Sequence, residues 1–221
     1  MEKPSLDTAK AGAMRFNTNS NQLEIYDGNQ WTGILGTSPN QQTGGTRGLI
    51  MGGIISGRSN VVDFITINTT GNFAEFGDLV QTASQGAGLG SRTRAVAGGG
   101  SPSSPGGTNN IDFHEFASTG TFNDFGDMAT TGFARIAVAS STRGVFMGRT
   151  IAPNTYDEIE FITIASTGGS KDFGDLTDER NTGGAAGNAT RGIYIGGGPN
   201  SNASTLGTSD FITISTTGNA A

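Results

Sequence analysis

The chain of 221 residues contains no cysteine, one histidine and one tryptophan. Without cysteine there is no disulfide frame and no thiolate metal site. Charged residues are sparse, at 14%, and their balance is acidic, with a net charge of −6. Such a surface is a poor partner for nucleic acid, where affinity rests on neutralising phosphates. Long apolar runs are also missing, so no segment reads as a transmembrane helix. Residues 1–10 lack the apolar stretch of a signal peptide. Helical periodicity is convincing nowhere. Hydrophobic residues make up only 33% of the chain, yet with so little charge the composition does not fit a disordered polymer.

Glycine is abundant, with 37 residues, and it is placed in order. Four short words recur in fixed sequence. Thr-Arg stands at Thr46-Arg47, Thr93-Arg94, Thr142-Arg143 and Thr190-Arg191. A strand word follows at 63–67, 112–116, 160–164 and 210–214, spelled Asp-Phe-Ile-Thr-Ile in its first and last copies. A Thr-Gly turn then ends at Gly71, Gly120, Gly168 and Gly218, and Phe-Gly-Asp closes the unit at Asp78, Asp127 and Asp175. Arginine to arginine, the period is 47, 49 and 48 residues. A period of this size indicates an array of supersecondary units, none of which can bury its apolar face alone.

The spacings locate the variation. Turn glycine to aspartate is always 7 residues, and aspartate to the next arginine is always 16. Arginine to turn glycine varies as 24, 26, 25 and 27. All insertions therefore fall in residues 56–62, 101–111, 150–159 and 199–209, which are rich in Gly, Pro, Ser and Asn and read as surface loops. In an array such loops collect on one face, often the binding face. Each unit reads as about four short strands: an apolar run after the arginine, the β-branched and aromatic word, the Phe-Gly-Asp strand and a weak glycine-rich strand. The expected fold is all-β, a β-propeller or related blade array of about four blades. Its units are 47–93, 94–142, 143–190 and 191–221, the last lacking two strands. A constant 16-residue step further predicts a charge pair joining neighbouring units, as Asp78–Arg94, Asp127–Arg143 and Asp175–Arg191, with Arg47 heading the first unit.

Few residues suggest chemistry. Asp172-Phe173-Gly174 matches a kinase metal-binding word, but it belongs to the repeat and no other kinase signature accompanies it. The acidic pairs Glu75/Asp78, Asp124/Asp127 and Asp172/Asp175 are three apart, which on a strand points them to opposite faces. They would converge on a cation only if the intervening glycine bulged the strand. His114 replaces the Ile found in the other three units (Ile65, Ile162 and Ile212) and reads as a satisfied or partly exposed strand histidine. The glycines at 86, 88 and 90 lack the spacing and context of a dinucleotide fingerprint. Tyr156, in a variable loop, is the better candidate for stacking on a sugar ring, while Trp31 reads as core. No catalytic, metal or cofactor residue is assigned.

Residues 1–40 do not fit the repeat. Strands are expected at 14–17, 22–26 and 31–35, with turns at Asn19-Ser20-Asn21 and Asp27-Gly28-Asn29. The run Arg15-Phe16-Asn17-Thr18, an apolar strand, then Tyr26-Asp27-Gly28 and Trp31 resembles a short module of bacteriophage tail fibres. The words around Arg143, at 160–168 and at 172–177, resemble the kelch-like repeats of marine-phage structural proteins. This resemblance implies a virion location and a kelch-like propeller at 41–221, with residues 1–40 as a β module for attachment or oligomerisation. The implied function is a non-enzymatic fibre or appendage component that contacts other virion proteins and host-surface glycans. A capsid decoration protein is the alternative, and a propeller enzyme acting on polysaccharide is a third reading. The resemblance also implies a homo-oligomer, with a trimer favoured; the acidic balance and the lack of long apolar runs argue against nucleic acid and membrane insertion as modes of partnership.

Overall fold

The computed structural model describes residues 9–18, 22–34, 45–103, 106–199 and 206–221. These contain strands and turns and no α-helix. The chain divides between Pro39 and Asn40 into two units.

The first unit holds one antiparallel sheet of β1 (Met14–Asn17), β2 (Gln22–Tyr26) and β3 (Trp31–Gly33). Asp27 drives the second turn: its Oδ1 accepts from the amides of Asn29 and Gln30, both at 2.8 Å. Those bonds favour the ionised carboxylate and lower its pKa. Trp31 is half-buried between the Arg15 guanidinium, 4.1 Å from the ring centre, and Tyr26, at 5.3 Å. Arg15 is itself held by Glu24 at 2.7 Å. The expected turn at 19–21 lies outside the described residues.

Among its described residues the second unit holds four small antiparallel sheets. The first is β4 (Arg47–Ile54), β5 (Arg58–Thr66) and β6 (Ala74–Asp78). The second is β7 (Ala87–Gly90), β8 (Arg94–Gly98), β9 (Thr108–Glu115) and β10 (Asn123–Gly132). The third is β11 (Ile136–Ala139), β12 (Arg143–Ile151), β13 (Asn154–Thr163) and β14 (Lys171–Asp175). The fourth is β15 (Gly184–Gly187), β16 (Arg191–Ile195) and β17 (Ser209–Thr213). Beyond β17, Ala221 exchanges two backbone bonds with Phe211, at 2.9 and 3.1 Å, in the register Lys171 holds opposite Phe161.

The sheets run one strand out of phase with the expected units. The weak glycine-rich strand pairs forward with the arginine strand, not back with Phe-Gly-Asp. The reason is local. A short turn joins the two, closed by bonds such as Ser91 N to Arg94 O at 2.9 Å and Ser140 N to Arg143 O at 2.8 Å. The link from Phe-Gly-Asp to the weak strand instead crosses from one sheet to the next. Residues 35–44, where a matching strand of the first sheet would fall, lie outside the described residues.

Three repeated contacts join each sheet to its successor. The Phe-Gly-Asp carbonyls accept from the next unit's turn: Gly120 and Phe122 on Phe76 and Asp78 (both 2.7 Å), Gly168 and Ser170 on Phe125 and Asp127 (2.8 and 2.9 Å), Gly218 and Ala220 on Phe173 and Asp175 (2.7 and 2.8 Å). The repeat arginine also crosses. Nη1 of Arg47, Arg94 and Arg143 donates to the carbonyls of Phe116, Ile164 and Ile214 at 2.6, 2.9 and 3.0 Å. Finally, the acid that opens the strand word accepts an amide of the preceding sheet: Val80 on Asp112 (3.1 Å), Ala129 on Glu160 (3.0 Å) and Thr177 on Asp210 (2.8 Å).

Strand alternation explains the spelling of that word. Its aromatic residue lies under the same strand pair's arginine, as with Phe64, Phe113, Phe161 and Phe211, 4.9, 4.3, 4.3 and 4.5 Å from the guanidinium carbon, and in the first three sheets it faces the following sheet. In the last three sheets its acid and its third and fifth residues, isoleucines except for His114 and Phe116, face the preceding sheet. Three apolar clusters fill the three joints. Ile212, Ile214 and Tyr194 meet Val145, Met147 and Phe173 in the last, and Phe146, Ile162 and Ile164 meet Val96 and Phe125 in the middle. Phe122 and Ala95 meet Val62 and Phe76 in the first.

Candidate functional site

Antiparallel strands of this order put two kinds of connection at the same end of the second unit: the variable loops and the crossings between sheets. Contacts between neighbouring loops follow. Arg58 Nη2 donates to Ser101 Oγ at 3.1 Å, the Thr155 hydroxyl donates to the Pro199 carbonyl, and Asn181 Nδ2 donates to Thr150 Oγ1 at 2.6 Å. The expected gathering of the variable segments thus holds for their described residues; 104–105 and 200–205 lie outside them.

Among the described residues, three other than glycine have positive φ: Gln85 (57°), Ala134 (56°) and Thr182 (52°). Each stands seven residues after a Phe-Gly-Asp aspartate. The conformation has a local cause. It aims the Ala134 amide at the Gln85 carbonyl (2.8 Å) and the Thr182 amide at the Ala134 carbonyl (3.3 Å), so the three crossings are stitched in series. For a β-branched residue such as Thr182 this is an uncommon backbone, the kind that marks sites where structure is held against local preference.

These same residues line a cleft of about 370 Å³, with Phe133, Thr150, Pro153 and Asn181 completing its wall. Phe133 and Thr150 exchange backbone bonds at 3.1 and 2.9 Å. The Thr182 hydroxyl donates to Asn181 Oδ1 at 2.9 Å, which in turn fixes the Asn181 amide towards Thr150. The cleft thus offers amides, hydroxyls and one aromatic ring, and none of its lining residues is ionisable. Its size sits at the lower end for small-ligand sites, enough for one or two sugar rings.

The structure distributes the sequence candidates elsewhere. Among the described residues, no ion pair joins Asp78, Asp127 or Asp175 to Arg94, Arg143 or Arg191, correcting the expected pairing; the only carboxylate these arginines meet is Glu115, 2.9 Å from Arg94. The constant step is set instead by backbone bonds on the aspartate carbonyl and by the crossing that follows. Buried arginines nonetheless exist where the repeat did not point. Arg135 lies 3.6 Å from Glu160, and Arg180 lies 3.3 Å from Asp210. Burial draws the Arg135 pKa down to about 10, opposed by Glu160, so the guanidinium remains charged at neutral pH. Asp112 has no such arginine, since residues 79–86 contain none. Its Oδ1 is buried without a partner, and burial raises its pKa.

Tyr156 is outside the cleft, and one face of its ring is covered by the Arg149 guanidinium at 3.8 Å, itself held by Glu158 at 2.7 Å. His114 packs edge-on against Phe76 at 5.2 Å, with Nδ1 2.9 Å from the Glu115 carbonyl oxygen. The strands do bulge at the repeat glycines, but no cluster of three potential metal ligands forms among the described residues. The cleft residues were missed because their identities do not repeat. Only their fixed distance from each aspartate could have marked them.

No family model matches this chain, and no curated protein matches it. Among solved structures it is similar in fold to YjhT, with a TM-score of 0.62 and 12% identity over 91% of this chain and 77% of that one.

Proposed function

We propose that this chain is a non-enzymatic virion structural protein, a fibre or appendage component whose outward end contacts host-surface glycans. In this reading the four sheets of residues 40–221 are consecutive blades of a kelch-like propeller, and the first unit is its attachment module. The observation that carries the ligand class is the cleft at the variable-loop end. Neutral sugars are recognised by amides, hydroxyls and an apolar ring face, and the lining of Gln85, Phe133, Thr150, Asn181 and Thr182 supplies that set. Glycoside hydrolysis would need a pair of carboxylates across the ligand, and this lining has none.

The test has two parts. Binding of the full chain to an array of neutral bacterial glycans should be lost in Gln85→Arg, which projects a long cation into the cleft, with no change in melting temperature. Wild-type protein that binds no neutral glycan, or binding indifferent to Gln85→Arg, rejects the cleft as receptor site. Labelling of virions by electron microscopy then fixes the component. A few copies at the tail fit a fibre, whereas dense labelling of the shell makes it a decoration protein.

A further inference from the structure

The three internal joints are built from the same two half-surfaces. A trailing face brings the arginine, the aromatic of the strand word and two apolar residues of the arginine strand. A leading face brings the third and fifth residues of the strand word (isoleucines in the third and fourth sheets, His114 and Phe116 in the second), the carbonyl that receives the arginine, and the residue two past the turn glycine. Among the described residues of the second unit, both half-surfaces also occur once each without another sheet of that unit against them. On the first sheet the leading face consists of Ile50, Ile65, Ile67 and Phe73. Ile50, Ile67 and Phe73 are 55%, 65% and 46% exposed, whereas their equivalents Phe146, Ile164 and Phe122 are 0%, 1% and 3% exposed. On the fourth sheet the trailing face consists of Arg191, Ile193, Ile195 and Phe211. Ile195 and Phe211 are 51% and 40% exposed, whereas Met147, the equivalent of Ile195, is 1% exposed. Among the described residues, no apolar cluster joins the first and fourth sheets.

We propose that the partner of each free face is the opposite face of a second copy of this chain. The two faces are unlike and complementary, so the contact is head-to-tail. Arg191, already stacked on Phe211, would donate to the Ile67 carbonyl of the other copy, as Arg143 does to Ile214. Ile195 and Phe211 would cover Ile67 and Phe73 as Met147 and Phe161 cover their own neighbours. A head-to-tail contact either closes into a ring or runs on as a filament. Two copies contribute eight sheets, the upper end of the usual range of about four to eight blades in a closed propeller, while three copies would exceed it. Closure as a pair satisfies both free faces at once. The pair rests on the blade reading above, but its test does not depend on any glycan.

Sedimentation of the full-length protein should give twice the chain mass. Phe73→Asp damages only the leading face and Arg191→Glu only the trailing face. Both sites are exposed in the single chain, so each variant should stay folded, with the wild-type circular dichroism, while losing the dimer and the stability that association adds. Mixing the two variants is the decisive step. One intact leading face and one intact trailing face remain between them, so a mixed dimer should reappear, held by one joint. A face-to-face contact between like surfaces would not be rescued by mixing. A monomeric wild type at tens of micromolar, or two variants that both keep the wild-type mass, overturns the proposal; the second result would place any self-association in residues 1–40.

Discussion

The guanidinium of Arg143 lies 4.3 Å from the ring of Phe161 in its own sheet and reaches the carbonyl oxygen of Ile214 in the next, at 3.0 Å. One side chain thus clamps the interior of a sheet and spans a joint. The repeat keeps an arginine here because both duties require a cation on a long stem.

Replacing Arg143 by Ala should therefore cost about 2–3 kcal/mol, from a charged hydrogen bond and a cation–π contact together. Asp127→Ala is the control. Its side chain is exposed and the joint uses its main-chain carbonyl, so the change should stay within about 0.5 kcal/mol. Chemical denaturation of both variants checks the pair. Equal losses would restore a role for the aspartate side chain.

Gly126 is the most constrained position in the middle joint. Its φ is 138°, and a Cβ there would stand 2.7 Å from the carbonyl carbon and oxygen of Gly168. Gly126→Ala combines backbone strain with a collision against main chain, and a loss of about 2–5 kcal/mol is expected. Calorimetry showing a shift of less than a degree would mean the joint yields at no cost.

The first joint is less well filled than the others. Ala97 stands where the third and fourth sheets carry Phe146 and Tyr194, and beside it lies a cavity of about 300 Å³ walled by Leu49, Met51, Leu79 and Ala83. Ala97→Leu should raise stability by about 0.5–2 kcal/mol, the usual yield of cavity filling. A lower melting temperature would show that the glycines of β7 already close that space.

Asp112 gives the chain a pH dependence whose direction is fixed by burial. Its folded-state pKa lies above the ordinary 3.8, so in that window the native state holds more protons than the unfolded state. Stability contributed by this group falls as pH rises through the window and is lowest above it. Asp112→Asn, which can still accept the Val80 amide, should raise the melting temperature at pH 7. The gain should vanish near pH 3, where both states of the wild-type carboxyl are protonated. A constant difference between those two values would assign the effect to packing.

The sequence alone determined the all-strand character, the recurring unit and the end where the variable loops meet. Each follows from local facts: β-branched words, turn glycines and the place where lengths vary. It also set residues 1–40 apart from the array, because the repeat words are missing there. Tertiary structure decided which strands pair, because a weak strand carries no mark of its partner and the turn at Ser91 or Ser140 settles the matter by closing a short hairpin. It decided the partners of the arginines too. A fixed step of 16 residues is equally compatible with an ion pair and with a crossing held by main-chain bonds, and only coordinates separate the two. The cleft was least legible of all. Gln85, Ala134 and Thr182 share no side-chain chemistry, and what unites them is a backbone conformation imposed by bonds between neighbouring units.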